Sequence, residues 1–190
     1  MKITLIRHAE VDISKNALAY AFELKEWLNI YNNAEIKEHF VSKDKISKIF
    51  DHSHQIICSE LKRSSDSVLL YDKTIDIKDS LFNEADLPYA NWGFVKLPLI
   101  AWAFLFRFMW LFGYKQNGES LEKAKLRAKE ATDVLVRLAK EHISVTLLGH
   151  GLLNRLIAKE LLSRGWMAQN KMGSKNWDYG VFELNSNLEP

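Results

Sequence analysis

The 190 residues suit one domain, and an apolar share of 47% is enough for a sizeable buried core. Twenty-six Lys and Arg against twenty-four Asp and Glu leave a formal net charge of +2, which gives nucleic-acid binding by bulk charge no support. A single cysteine, Cys58, excludes an intrachain disulfide and, with six scattered histidines, offers no Cys-x-x-Cys zinc spacing.

In chain order, Ile3 to Ile6 is a short apolar run that stops at Arg7-His8. It is too short for a signal peptide, so the expected location is the cytoplasm. Ser14 to Ile30 places Leu18, Ala21, Phe22, Leu24 and Leu28 at helical spacing. Gln55 to Cys58 reads as a second strand, followed by Ser59 as N-cap of a helix through Leu61, Val68 and Leu69. Glu119 to Glu141 carries Leu121, Ala124, Ala128, Ala131, Leu135 and Leu138 on one stripe. Ile143 to Leu148 is a third strand, and Gly151 opens a helix that runs to Arg164 and stops at Gly165. Tyr179 to Leu184 is a last strand, expected at a sheet edge. Strands alternating with helices give an α/β protein: a three-layer α/β/α sandwich around a mostly parallel sheet. The single-domain reading takes 1–190, with an aromatic-rich helical cap segment at about 88–117.

In such a sheet, ligands bind at the carboxyl ends of the strands. The residues there are Arg7-His8-Ala9-Glu10, Ser59-Glu60-Leu61-Lys62-Arg63 and Gly149-His150-Gly151. Three strands thus deliver two imidazoles and two guanidinium groups to one edge. Guanidinium groups offer planar, bidentate donors to phosphate oxygens, and helix starts add backbone N–H donors. A neutral imidazole can attack phosphorus, and a second, if protonated, can stabilise the transferring oxygens. A phosphoryl group fits every element. The bland alternatives are surface salt bridges of Arg7 with Glu10 and of Arg63 with Asp66, solvated or capping roles for His39, His52, His54 and His142, and an apolar filler role for Cys58.

These segments resemble the histidine phosphatase superfamily, which includes the cofactor-dependent phosphoglycerate mutases. Arg7-His8-Ala9-Glu10 resembles its Arg-His-Gly signature, and Ser59 to Arg63 its Ser-x-Leu-x-Arg segment. Asn83-Glu84-Ala85-Asp86 resembles the acid-bearing loop, Gly118-Glu119-Ser120 a Gly-Glu-Ser turn, and Gly149-His150-Gly151 the third basic segment. The resemblance implies a phosphoglycerate mutase-like fold and a histidine acid phosphatase-like hydrolase. It makes His8 the nucleophile, and Arg7, Arg63 and His150 the holders of the phosphoryl oxygens, His150 also counting among the catalytic groups. Glu84 becomes the proton donor and later the base for water, with Asp86 as the second candidate. It implies no metal and no cofactor.

Two departures stand out. Ala9 replaces the usual glycine, so the backbone there needs φ below zero. Val11 to Asn16 lacks the Ser/Thr-x-x-Asn pattern of the mutases, leaving Ser14 and Asn16 as second-line phosphate contacts. The missing pattern favours hydrolysis over isomerisation.

Leu97 to Phe112 holds one charge, Arg107. As a helix it would reach about 24 Å, short of a bilayer's roughly 30 Å apolar core. Because it follows the acid loop, it is expected, with Tyr89 and Trp92, to cap the pocket and to favour a small phosphate ester with a hydrophobic or aromatic leaving group. Membrane-surface contact through Leu97–Phe112 is possible but not favoured, an oligomer is possible, and no nucleic-acid partner is expected. The rival functions are a phosphoglycerate mutase-like phosphotransferase and a non-catalytic phosphate-binding or membrane-surface module.

Overall fold

The computed structural model describes residues 1–38 and 43–184, so His39 lies outside the described residues. The strands are β1 (Lys2–Arg7), β2 (Leu18–Ala19), β3 (Gln55–Cys58), β4 (Ile77–Lys78), β5 (Leu97–Pro98), β6 (Ser144–Gly149), β7 (Met167–Ala168) and β8 (Tyr179–Glu183). The α-helices are α1 (Leu24–Asn33), α2 (Lys43–Asp51), α3 (Lys62–Leu69), α4 (Leu99–Leu111), α5 (Leu121–His142) and α6 (Gly151–Ser163).

One sheet has the order β4-β3-β6-β1-β8-β7. Its first four strands are parallel; β8 runs antiparallel to β1, and β7 antiparallel to β8. Register sets Arg7 opposite Gly149 and Cys58 opposite Leu148. The chain therefore leaves β1, β3 and β6 side by side at one edge, which is what brings distant sequence segments together.

Alternation along the strands builds two cores. Ile3, Leu5, Ile57, Val145 and Leu147 pack with Leu135 of α5 and Leu153 of α6 on one face. Ile6, Ile56, Cys58 and Leu148 pack with Phe50 of α2 and Val68 of α3 on the other. The result is the three-layer α/β/α sandwich with a mostly parallel sheet. A third cluster joins Leu24 of α1 to Leu99, Trp102 and Phe106 of α4, away from both sheet faces.

Several local readings change. The expected helix over Ser14 to Ile30 starts only at Leu24, because Leu18–Ala19 pairs with Leu97–Pro98 as a two-stranded ribbon. Ser59 does not cap α3: Leu61 precedes the helix, and the Ser59 hydroxyl turns elsewhere. Ser120 does cap α5, accepting from the Lys123 N–H at 3.2 Å. β8 lies inside the sheet, since β7 pairs along its outer side. Among the described residues, no helix is long and apolar enough to cross a membrane.

Candidate active site

β1 carries Arg7 and delivers His8 next to Gly149, whose carbonyl accepts the His8 N–H at 3.1 Å. The His8 and His150 rings lie with centroids 5.0 Å apart. Both are buried. Gly149 permits this crossing: a Cβ there would overlap Asn154 Oδ1, while Asn154 Nδ2 donates to the Ile6 carbonyl at 3.0 Å and ties α6 to β1. Ala9, at the position of the expected glycine, is not among the positive-φ residues, and its methyl is buried with Ile6 and Phe50. Its N–H donates to Ser67 Oγ at 2.8 Å, so the loop tolerates the side chain.

The tautomers follow from the partners. His8 Nδ1 lies 2.6 Å from the Ala9 carbonyl oxygen, which can only accept. Nδ1 therefore carries the proton, and Nε2 keeps a lone pair. Burial first, then Arg63 and Arg7, hold the His8 ring well below the usual histidine range, against partial opposition from the Ala9 bond. Both effects favour the uncharged ring, whose Nε2 lone pair is available. His150 Nε2 sits 2.7 Å from Ser59 Oγ, which already accepts the Leu61 N–H at 3.2 Å. Among the described residues the Ser59 hydroxyl has no other acceptor, so its proton is assigned to His150 Nε2, which places the His150 proton on Nδ1. Burial, Arg63 and His8 also hold His150 well below the usual range, which favours its uncharged form in the free protein.

Among the described residues, three buried nitrogens of this cluster have no protein acceptor: Arg7 Nε, Arg63 Nε and His150 Nδ1. Buried donors are normally satisfied, and leaving one unmade costs about 1–3 kcal/mol. Three such donors beside His8 suit an oxyanion. One outer nitrogen of each guanidinium is held: an Arg7 Nη donates to the Ser174 carbonyl, and Arg63 Nη1 donates to Asn32 Oδ1 at 2.8 Å with Tyr31 stacked 4.9 Å away. Neither arginine makes the salt bridge weighed from sequence; Glu10 pairs with Lys15 and Lys37, and Asp66 with Lys62. No group of three or more His, Cys, Asp or Glu suited to a metal occurs among the described residues.

A cleft of about 630 Å³ opens over Arg7, His8 and Arg63. Glu84 and Asp86 both line it. The Glu84 carboxylate accepts the backbone N–H groups of Leu152 at 3.1 Å and Leu153 at 3.0 Å, which fixes it on the first turn of the helix that begins after His150. Asp86 keeps an open surface; partial burial and Glu119 push its carboxyl up. Ser14 and Asn16 do not line the cleft, whereas Lys15 between them does. The α4 side of the cleft consists of Ile100, Ala103, Phe104 and Arg107; Tyr89 also lines it, and Trp92 packs on Trp102 instead. A second recess of about 660 Å³ behind the acid loop contains none of Arg7, His8 or Arg63.

Arg127 is a positioning residue that the sequence did not single out. It donates to both carboxylate oxygens of Glu119, at 3.0 and 2.7 Å, and to the carbonyls of Leu81 and Asn83, at 2.9 and 2.6 Å. The Gly-Glu-Ser turn and α5 thus clamp the loop immediately before Glu84. At the far side, Asn176 donates to the His8 carbonyl at 2.7 Å, and the Trp177 N–H to the Arg7 carbonyl at 3.0 Å. Ligand-like pairs of charges at familiar spacing are visible in a sequence; side chains that brace a backbone from 40 or 160 positions away are not.

Solved structures of the same architecture cover nearly the whole chain. The Mycobacterium tuberculosis protein of open reading frame Rv3214 aligns with a TM-score of 0.59 at 17% identity, over 97% of this chain and 92% of that one. The chain has the histidine phosphatase fold. A mycobacterial glucosyl-3-phosphoglycerate phosphatase aligns at 0.57 and 15%, over 95% and 88%, and Bacillus stearothermophilus YhfR at 0.59 and 14%, over 97% and 92%. No family model and no curated protein sequence matches. In the histidine phosphatase fold seen here, the cleft sits at the carboxyl ends of β1 and β3, where a parallel sheet places its ligands, while His150 after β6 is buried beside His8 and does not itself line the cleft.

Proposed function

We propose that the protein is a metal-independent phosphomonoester hydrolase acting through a phosphohistidine at His8. The observation that carries this reading is the set of unpaired, buried nitrogens on Arg7, Arg63 and His150 beside a neutral His8. A mycobacterial glucosyl-3-phosphoglycerate phosphatase of the same fold has been solved with inorganic phosphate and with VO3, and these are anions of the kind such donors take.

In the first step, the lone pair on His8 Nε2 forms a bond to phosphorus while the ester P–O bond breaks. Arg7, Arg63 and His150 Nδ1–H stabilise the three equatorial oxygens. The leaving oxygen takes its proton from the Glu84 carboxyl. In the second step, the Glu84 carboxylate accepts a proton from water, the water oxygen attacks phosphorus, and the P–N bond breaks to release phosphate and neutral His8. The wall formed by Tyr89, Ile100, Ala103 and Phe104 supports a substrate with a hydrophobic or aromatic leaving group.

A panel of phosphomonoesters, assayed with and without a chelator, tests the reading. Turnover is expected in chelator, with an aryl phosphate preferred to a sugar phosphate, and none in His8→Ala. Glu84→Gln should slow alkyl phosphates most, because their leaving oxygens need the proton. If Glu84→Gln equals the parent on alkyl phosphates, the acid role passes to Asp86. Turnover that disappears in chelator would overturn metal independence, and isomerised product without free phosphate would identify a phosphotransferase.

A further inference from the structure

Helix α4 buries one stripe, Leu99, Trp102, Phe106 and Trp110, and lays a second, Ile100, Ala103 and Arg107, along the cleft. Its remaining face is apolar as well. Phe104 is 71% exposed, Phe108 60% and Phe112 77%, with Leu105 and Leu111 between them, and Phe94 just upstream is 92% exposed. The buried stripe already anchors the helix, so the outer face is not needed for folding. A surface helix ordinarily turns polar residues outward. α5 in the same molecule does so, exposing Glu122, Lys123, Lys125, Lys129 and Glu130.

Charge narrows what covers this face. Residues 87–118 contain Lys96, Arg107 and Lys115 and no Asp or Glu. Lys96 lies before the helix and Lys115 after it, both exposed. A two-fold contact with another copy would bring together two cation-flanked faces with no carboxylate between residues 87 and 118, whereas an anionic surface matches both the Phe face and its flanking charge. Phe104 belongs to both the outer face and the cleft lining, so an organic group leaving the phosphate end past Ala103 emerges at this face.

We propose that the outer face of α4 docks on an anionic lipid bilayer, so that the cleft beside it accepts a phosphate monoester whose apolar part is held in that bilayer. The docking half stands on the surface alone; the substrate half rests on the phosphatase reading above.

Co-sedimentation with vesicles of phosphatidylcholine, with and without phosphatidylglycerol, reads docking without any turnover. Binding should rise roughly 10–30-fold with the anionic lipid, as two flanking lysines would supply, and Lys96→Gln/Lys115→Gln should remove most of that rise. Phe108→Ser/Phe112→Ser should cut binding roughly tenfold or more while leaving turnover of a soluble aryl phosphate unchanged. A long-chain alkyl phosphate in anionic vesicles should then be hydrolysed faster by the parent than by the double variant. Parent protein that stays in the supernatant, or a dimer in light scattering that Phe108→Ser/Phe112→Ser dissociates, overturns docking. Vesicle binding with equal turnover of the long-chain ester by both proteins overturns the substrate half. Loss of soluble turnover alone would fault the phosphatase reading and leave docking standing.

Discussion

Arg127→Met separates the scaffold of the acid loop from its chemistry. The substitution deletes two bonds to Glu119 and two to the carbonyls of Leu81 and Asn83. The paired side chains are only 20% and 15% exposed, so Glu119 is left largely buried without its partner. Breaking a buried pair costs roughly 3–5 kcal/mol, and partial access of water places this case near the lower end. At about 2–4 °C per kcal/mol for a domain of this size, Tm should fall by about 6–12 °C. Releasing the Asn83 carbonyl also frees the backbone one residue before Glu84. A shift of about 1 Å at a catalytic group costs on the order of 100-fold. That loss should appear in kcat for alkyl phosphates, whose leaving oxygen depends on the Glu84 proton, and be smaller than about tenfold for an aryl phosphate. Thermal unfolding and paired kcat measurements below the lowered Tm read both effects, and Arg127→Lys, which keeps charge but not the fork, should fall between. Equal losses for the two leaving groups, or an unchanged Tm, would refute the positioning role.

Two further outcomes follow from the histidine tautomers. Ser59→Ala removes the hydroxyl that directs the His150 proton to Nδ1, so vanadate or phosphate affinity and kcat/KM should both drop by roughly tenfold or more, and Tm should fall by a few °C because His150 Nε2 and the Leu61 N–H lose their partner; parent-like vanadate binding would show that Nδ1–H is not a donor to the anion. The pH dependence has a definite sign. His8 and His150 both have folded-state values below the ordinary histidine range, so activity should persist below pH 6.5, and its acid limb should report His8 protonation. For stability, the unfolded chain takes up protons at these rings before the folded chain does, so Tm should fall as pH drops below about 6.5, and His8→Asn should flatten that fall. An acid limb at the ordinary histidine value, or a pH-independent Tm in that window, would contradict the buried neutral pair.

The parts of the site that could be read in the sequence were those tied to strand ends. Arg7, His8, Arg63 and His150 follow short apolar runs, and the parallel register of β1, β3 and β6 brings those ends together. Glu84 was recognisable only through its loop, and its hold on the start of α6 is a tertiary contact between residues nearly 70 positions apart. β2, β4, β5 and β7 have two residues each, too few for a period to register. Leu18 and Ala21 fit a helical stripe, but pairing with β5 claims the backbone of Leu18 and Ala19, so the helix begins only at Leu24. Lys15 lines the cleft while Ser14 and Asn16 do not, because side-chain direction in an irregular segment has no sequence period.

Phosphoryl transfer to His8 is tested most directly by acid-quench trapping. Protein mixed with an aryl phosphate, quenched within the first turnovers and digested under conditions that preserve phosphohistidine, should carry one phosphoryl group on the peptide containing His8. His8→Ala should carry none, and Glu84→Gln should accumulate more than the parent, because its second step lacks the base. Turnover of the same ester without any label on that peptide, or a label on His150 with His8 untouched, would contradict the assignment.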